Sequence, residues 1–292
     1  MLDGHLLIDA HVHAPRLPTL KLSWQQWTRG TVEPGVRERV YDPAGTVRPA
    51  ELDALFAEQG VDIAVLLCEY SPRVTGMSPI EDLLPIVAGN PQRFRLMAAV
   101  NPYVHWPVRQ EVTRQLDLGA VALKIHPAHG AFRADDAALY PAYEVCRERG
   151  VPVVMHCGTS TFPGAVSSYA DPASLDPVAA DFPEVDFVLA HGGRGWWYDA
   201  AAFMTQLHPN VWIELSGLPP RRLPDYYARF DLARLAQKWI FGTDWPAVPG
   251  IARNARGVAE LGLPDDVLGL VLGGNAVQVY GLDGVPGRSD PQ

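Results

Sequence analysis

The chain of 292 residues has a formal net charge of −9, 48% hydrophobic residues and 20% charged residues. That length suits one barrel-sized domain with a sizeable core, and the acidic balance, with no Lys/Arg run, excludes nonspecific nucleic-acid binding. Cys68, Cys146 and Cys157 are too few and too scattered for a disulfide framework. No basic segment precedes a long apolar stretch, and no run approaches the ~18 apolar residues of a membrane span, so a cytoplasmic location is expected.

In chain order the first apolar run is "LLIDAHVHAP", which reads as a buried strand yet ends in Asp9, His11 and His13. From Ala14 to about Val47 no clear element follows; this long connection, with Trp24 and Trp27, reads as a lid, a binding loop or a surface excursion packed on the core. "PAELDALFAEQG" spaces Leu52, Leu55 and Phe56 as a helix and stops at Gly60. "VDIAVLLCEY", "FRLMAAVNP" and "AVALKIHP" read as further strands, apolar on both faces as covered parallel strands are. The helix "DDAALYPAYEVCRERG" ends at Gly150, and "VPVVMHCG", "VDFVLAHGG", "VWIELSG" and "KWIFGTDWP" complete eight strands. Strands alternating with helices at about 36 residues per unit predict a single-domain (β/α)8 barrel over residues 1–285. A doubly wound sheet is disfavoured because no GxGxxG follows the first strand. Residues 286–292 read as a disordered tail.

The strand ends carry the chemistry. Strand one delivers His11 and His13, strand four Lys124 and His126, strand five His156, strand six His191 and strand eight Asp244. In a barrel the carboxyl ends of all strands meet on one face, where active sites form. Residues two apart on a strand point the same way, so His11 and His13 can share one ion, and Lys124 and His126 share a face. A lone strand-end histidine is usually just hydrogen-bonded; several in register with an aspartate are not readily accidental. Imidazole and carboxylate without thiolate suit an open catalytic centre for Zn2+, with Mn2+ or Fe2+ as alternatives. His5, His105 and His208 fit no such register and read as structural. His126, His129, Arg194 and Trp196 are candidate substrate contacts, with packing as the competing role for the tryptophans of "HGGRGWWYDA".

"IDAHVH", "LKIHP", "VVMHCG", "LAHGG" and "FGTDWP", in this order, resemble the amidohydrolase superfamily. The likeness is greatest to its amidohydrolase-related, family-2 branch, which includes decarboxylases of the aminocarboxymuconate-semialdehyde type. The resemblance implies that His11, His13 and His156 are metal ligands and that Asp244 is both ligand and proton shuttle. It makes His191 a catalytic, polarising residue beside one metal, or a ligand beside two. Lys124 is then either a carboxylated lysine bridging two metals or a contact for a substrate carboxylate.

Two reactions follow. In hydrolysis, a metal-activated water attacks an amide, ester or lactone of a small carboxylated or aromatic substrate; Asp244 moves its proton and His191 hydrogen-bonds the oxyanion. In nonoxidative decarboxylation, the same parts grip a carboxylate and protonate carbon. Hydrolysis is favoured because Lys124 completes the ligand set of many hydrolytic members. A noncatalytic metal-binding scaffold, or an interaction protein using the 14–47 segment, stands further back. A small-molecule substrate is expected, with no nucleic-acid or membrane partner; a homodimer is compatible with these features.

Overall fold

The computed structural model describes residues 1–2, 4–31, 33–246 and 250–282. The expected tail at 286–292 lies outside them. Eight parallel strands form one sheet: β1 (Ile8–Val12), β2 (Ile63–Leu67), β3 (Phe94–Val100), β4 (Ala120–Ile125), β5 (Val153–Gly158), β6 (Phe187–Arg194), β7 (Val211–Glu214) and β8 (Trp239–Ile240). They pair in chain order, with helices between them. The ring is drawn together between its last and first strands by Ala10 N donating to Phe241 O, Asp244 N to His11 O and His13 N to Trp245 O. This is a single-domain (β/α)8 barrel, as the alternation of elements predicts.

The reason is visible in the side chains. β1, β2, β5 and β7 are buried at every position, because neighbouring strands and covering helices enclose both faces. Inside the barrel Ile8, Ile63, Met97, Val154, Val188 and Ile240 belong to one cluster, while Leu66, Leu96, Leu123 and Met155 pack outward into the larger one. The helix Pro49–Glu58 buries Leu52, Leu55 and Phe56, the three residues whose spacing marks it. The helix Tyr140–Arg149 stops where Gly150 turns left-handed at φ 62°.

Two local expectations are corrected. The segment 14–47 is not devoid of elements: it holds a short turn at Leu17–Thr19 and helices at Leu22–Thr31 and Val36–Val40. Trp24 is buried, its ring 6.0 Å from that of Trp27, so the segment packs on the barrel mouth. The eighth strand is also shorter than its apolar run; Phe241–Asp244 follows β8 as irregular backbone held against β1. Among the described residues no helix is long and apolar enough to cross a membrane.

Candidate metal centre and the cavity around it

Asp244 and the two histidines of β1 come together at the carboxyl ends of the strands. His13 Nε2 lies 3.2 Å from Asp244 Oδ1, and His11 Nε2 lies 3.6 Å from the same oxygen. One nitrogen from each ring and one carboxylate oxygen fall within 4.8 Å of one another, a spacing that a single cation can bridge. Asp244 and His191 both sit at φ 68°, the left-handed region that costs an ordinary residue about 1 kcal/mol or more. Such backbone persists only where the surroundings over-determine it, and here it turns both side chains into the site. Gly217 completes the fit: a Cβ there would come 3.1 Å from Asp244 Oδ2 and 2.5 Å from Arg194 Nη1.

Hydrogen bonds set which nitrogen each ring presents. Glu214, at the end of β7, holds His11 Nδ1 at 2.9 and 3.0 Å. The proton therefore sits on Nδ1, and Nε2 faces Asp244 with a bare lone pair. A second relay runs through His191. Its Nδ1 lies 2.9 Å from the carbonyl oxygen of Ser216, which can only accept, so Nε2 is left as an acceptor. His156 Nδ1 is 3.1 Å from that Nε2 and donates to it. The relay leaves His156 Nε2 as a bare lone pair, buried and without a hydrogen-bond partner.

Burial keeps these imidazoles neutral. It pulls His11 below its ordinary range against the opposing charge of Glu214, and pulls His126, His156 and His191 far below it. Burial alone would raise Asp244; the hydrogen bond from His13 and the nearby Arg194 guanidinium oppose it, and the carboxyl lies well below its usual range. Neutral imidazoles around an ionised carboxylate are the protonation states that metal ligands need.

Lys124 is wholly buried and its Nζ has no hydrogen-bond partner. Burial brings it down from 10.5 to about 8, with Glu214, Asp244 and Glu69 partly opposing. It is not among the residues that line the cavity.

The cavity in front of the cluster measures about 280 Å³. His11, His13, His126, His156, His191, Arg194 and Asp244 all line it, while Trp24, Trp27 and Phe162 give it an aromatic wall. Arg194 Nη1 lies 3.8 Å from Asp244 Oδ2. Trp196, like Lys124, is not part of this lining, and it is 70% exposed. The two ring nitrogens of His191 face Ser216 and His156. His5 and His208 pair with Asp265 and Asp176, and the His105 ring packs against Tyr70 at 4.4 Å.

Two carboxylates were not anticipated. Glu69 follows β2 and Glu214 ends β7; both are nearly inaccessible, 4% and 0% exposed. The available signal was the same one that marks the histidines, a charge closing an apolar run, in "VLLCEY" and "VWIELSG".

A barrel with histidines and an aspartate on its carboxyl-terminal rim defines a metal-dependent class of enzymes. The amidohydrolase family model matches residues 8–282, and the chain belongs to that family, whose enzymes include hydrolases and decarboxylases and use a divalent metal. No curated protein matches the sequence. Among solved structures, an uncharacterised TIM-barrel protein from Bordetella bronchiseptica is similar, with a TM-score of 0.74 and 22% identity, over 94% of this chain and 98% of that one. A probable 2-pyrone-4,6-dicarboxylic acid hydrolase from Acinetobacter baumannii, with citric acid bound, reaches a TM-score of 0.66 at 17% identity, over 94% of this chain and 99% of the other. A 5-carboxyvanillate decarboxylase from Novosphingobium aromaticivorans, complexed with manganese and a nitrobenzoic acid, reaches 0.64 at 15% identity, over 95% and 96%. At these identities the likeness is one of fold.

The donor set fits a divalent ion on this structure's own terms. His11 and His156 each present a bare Nε2, that of His156 is buried and partnerless, and Asp244 stays ionised between two imidazoles.

Proposed function

We propose that the chain is a cytoplasmic, divalent metal-dependent hydrolase acting on an amide, ester or lactone of a small carboxylated or aromatic substrate. The observation that carries this reading is Asp244, whose two oxygens have different surroundings. Oδ1 is shared by His11 and His13, whereas Oδ2 faces Arg194. His11, His13 and Asp244 Oδ1 would hold the ion, with His156 as a fourth candidate donor and Zn2+ the first choice of metal. The ion supplies Lewis acidity, polarising a substrate oxygen and acidifying water. Asp244 Oδ2 accepts the proton of the attacking water and returns it to the leaving group, a general acid–base role. Arg194 binds a substrate carboxylate or the oxygen that gains charge, and Trp24, Trp27 and Phe162 enclose the apolar part. His191 acts through His156, fixing which nitrogen that ring presents.

Arg194 opposite an aromatic wall also favours a second reading, nonoxidative decarboxylation of an aryl acid. There Arg194 orients the departing carboxylate and Asp244 delivers a proton to the ring carbon. Elemental analysis of the purified protein, with a screen of lactones, amides and aromatic carboxylates scoring both acid release and CO2, separates the two. Acid release without CO2 supports the first; CO2 without acid release replaces it with the second. Protein that purifies without a divalent ion and cannot be loaded with one refutes both.

A further inference from the structure

A second hydrogen-bonded relay lies in the same cavity, beside the metal centre, the His129 ring 5.0 Å from that of His156. His129 Nδ1 is 2.9 Å from Glu69 Oε1, and His129 Nε2 is 2.9 Å from Ser160 Oγ. The three residues come from beyond the carboxyl ends of different strands: Glu69 follows β2, His129 sits in the short helix Pro127–Gly130 after β4, and Ser160 follows β5. All three line the cavity.

The order of partners matters more than their proximity. Glu69 is 4% exposed and His129 5%. Burial would raise the Glu69 carboxyl, yet the hydrogen bond from His129 opposes it, and the carboxyl lies well below its usual range. An ionised Glu69 accepts, so His129 carries its proton on Nδ1 and presents the Nε2 lone pair to the Ser160 hydroxyl. Thr75 Oγ1 donates to the same Glu69 oxygen and fixes the carboxylate from a second direction. A hydroxyl on a base, with the base oriented by a buried carboxylate, is the arrangement that activates a serine nucleophile on unrelated folds. The Phe162 ring stands 5.7 Å from that of His129 and 5.3 Å from that of Trp27, so an apolar group has a surface beside the hydroxyl. Ser160 Oγ also accepts from Phe162 N at 3.4 Å, and a serine that only held that turn would need neither His129 nor Glu69.

We propose that Ser160, His129 and Glu69 form a second nucleophilic centre, one that transfers acyl groups from small aryl or alkyl esters and needs no metal. Ser160 Oγ forms a bond to the acyl carbon as its proton passes to His129 Nε2. The ester C–O bond breaks and the alcohol leaves with that proton. Water then attacks the acyl-serine, His129 takes the water proton and returns it to Ser160 Oγ, and the acid departs. The net change is ester plus water to acid plus alcohol, with no other reactant. Ser160 and His129 are the catalytic residues, and Glu69 positions His129.

The test is covalent labelling with diisopropyl fluorophosphate, read by intact mass and peptide mapping. The wild-type chain gains one diisopropylphosphoryl group on Ser160 with loss of fluoride, and gains it equally in excess chelator. Ser160→Ala takes up none, and His129→Gln reacts at least ~10²-fold more slowly, the usual scale for a general base. In proton NMR the His129 Nδ1 proton appears far downfield and is lost in folded Glu69→Gln. Failure of the wild-type chain to form the Ser160 adduct overturns the proposal, and that measurement needs no variant to fold. Labelling as fast in His129→Gln as in wild type, or labelling abolished by chelator, also overturns it. Metal content and chelator-sensitive turnover are measured separately, so failure of the metal-dependent reading leaves this result standing and the reverse holds too.

Discussion

Replacing Lys124 with methionine tests the buried cation beneath the metal centre. Its ammonium is wholly inaccessible, without a hydrogen-bond partner, and brought from 10.5 to about 8. That change costs the folded state about 3 kcal/mol whenever the lysine is charged in both states. Methionine keeps the length and removes the charge; Glu214, Asp244 and Glu69 lose a nearby cation in exchange. The net expectation for Lys124→Met is a gain of about 1–2 kcal/mol at pH 7, since a buried charge replaced by an apolar group of similar volume is commonly neutral or stabilising. The pH dependence follows from proton counting. Between pH 8 and 10.5 the unfolded chain holds the Lys124 proton and the folded chain has begun to release it, so rising pH favours folding. Wild-type stability from urea denaturation then climbs toward about 1.4 kcal/mol per pH unit more steeply than that of Lys124→Met in this window. Below pH 8 the two curves run parallel, with the variant higher. A Lys124→Met protein that is less stable at pH 7, or a wild type without the extra slope, refutes the reasoning. If bicarbonate then stabilised only the wild type, a carboxylated Lys124 and two bound ions would replace it.

The remaining expectations concern the metal centre. His11→Ala/His13→Ala should purify without its ion by elemental analysis, because two of the three clustered donors are gone; full metal content would reject the site. Asp244→Asn should fold, since asparagine tolerates the left-handed backbone found there, and should lose at least ~10²-fold in turnover. Near-normal turnover in metal-loaded Asp244→Asn would remove the proton-carrier role. Glu214→Gln can turn an amide NH2 toward His11 Nδ1 and disturb the ring's protonation, so competition titration should show metal affinity weakened by about 10–100-fold; an unchanged affinity would make Glu214 a packing residue.

The barrel was legible because parallel strands enclosed on both faces leave continuous apolar runs, and all eight runs read from the chain became strands. His11, His13 and Asp244 were legible for a related reason: a polar side chain closing such a run has to be held by something. That rule applied equally to Glu69 and Glu214, but carboxylates are common enough near turns that the histidines drew attention first. The helix Leu22–Thr31 was missed because "LSWQQWTRGT" mixes β-branched, aromatic and glycine residues, so local preference is weak and packing on the barrel supplies the order. Trp196 lies outside the cavity lining since strand register ends at Arg194, and no periodic rule carries past it. The Ser160–His129–Glu69 relay joins a short strand, a short helix and a loop across 91 residues of chain, from 69 to 160, and only the folded barrel brings them together.

The aromatic wall has its own consequence for how this enzyme can change. Trp24 and Trp27 reach the cavity from one contiguous segment, 14–47, while the cation donors are rooted in barrel backbone. On the proposed function, part of the apolar recognition surface is thus written apart from the chemical step, while Phe162 and Arg194 remain on the barrel side. Insertion, deletion or exchange within one short stretch can reshape what enters without moving His11, His13 or Asp244, and grafting that stretch between related barrels is a direct route to a new substrate range.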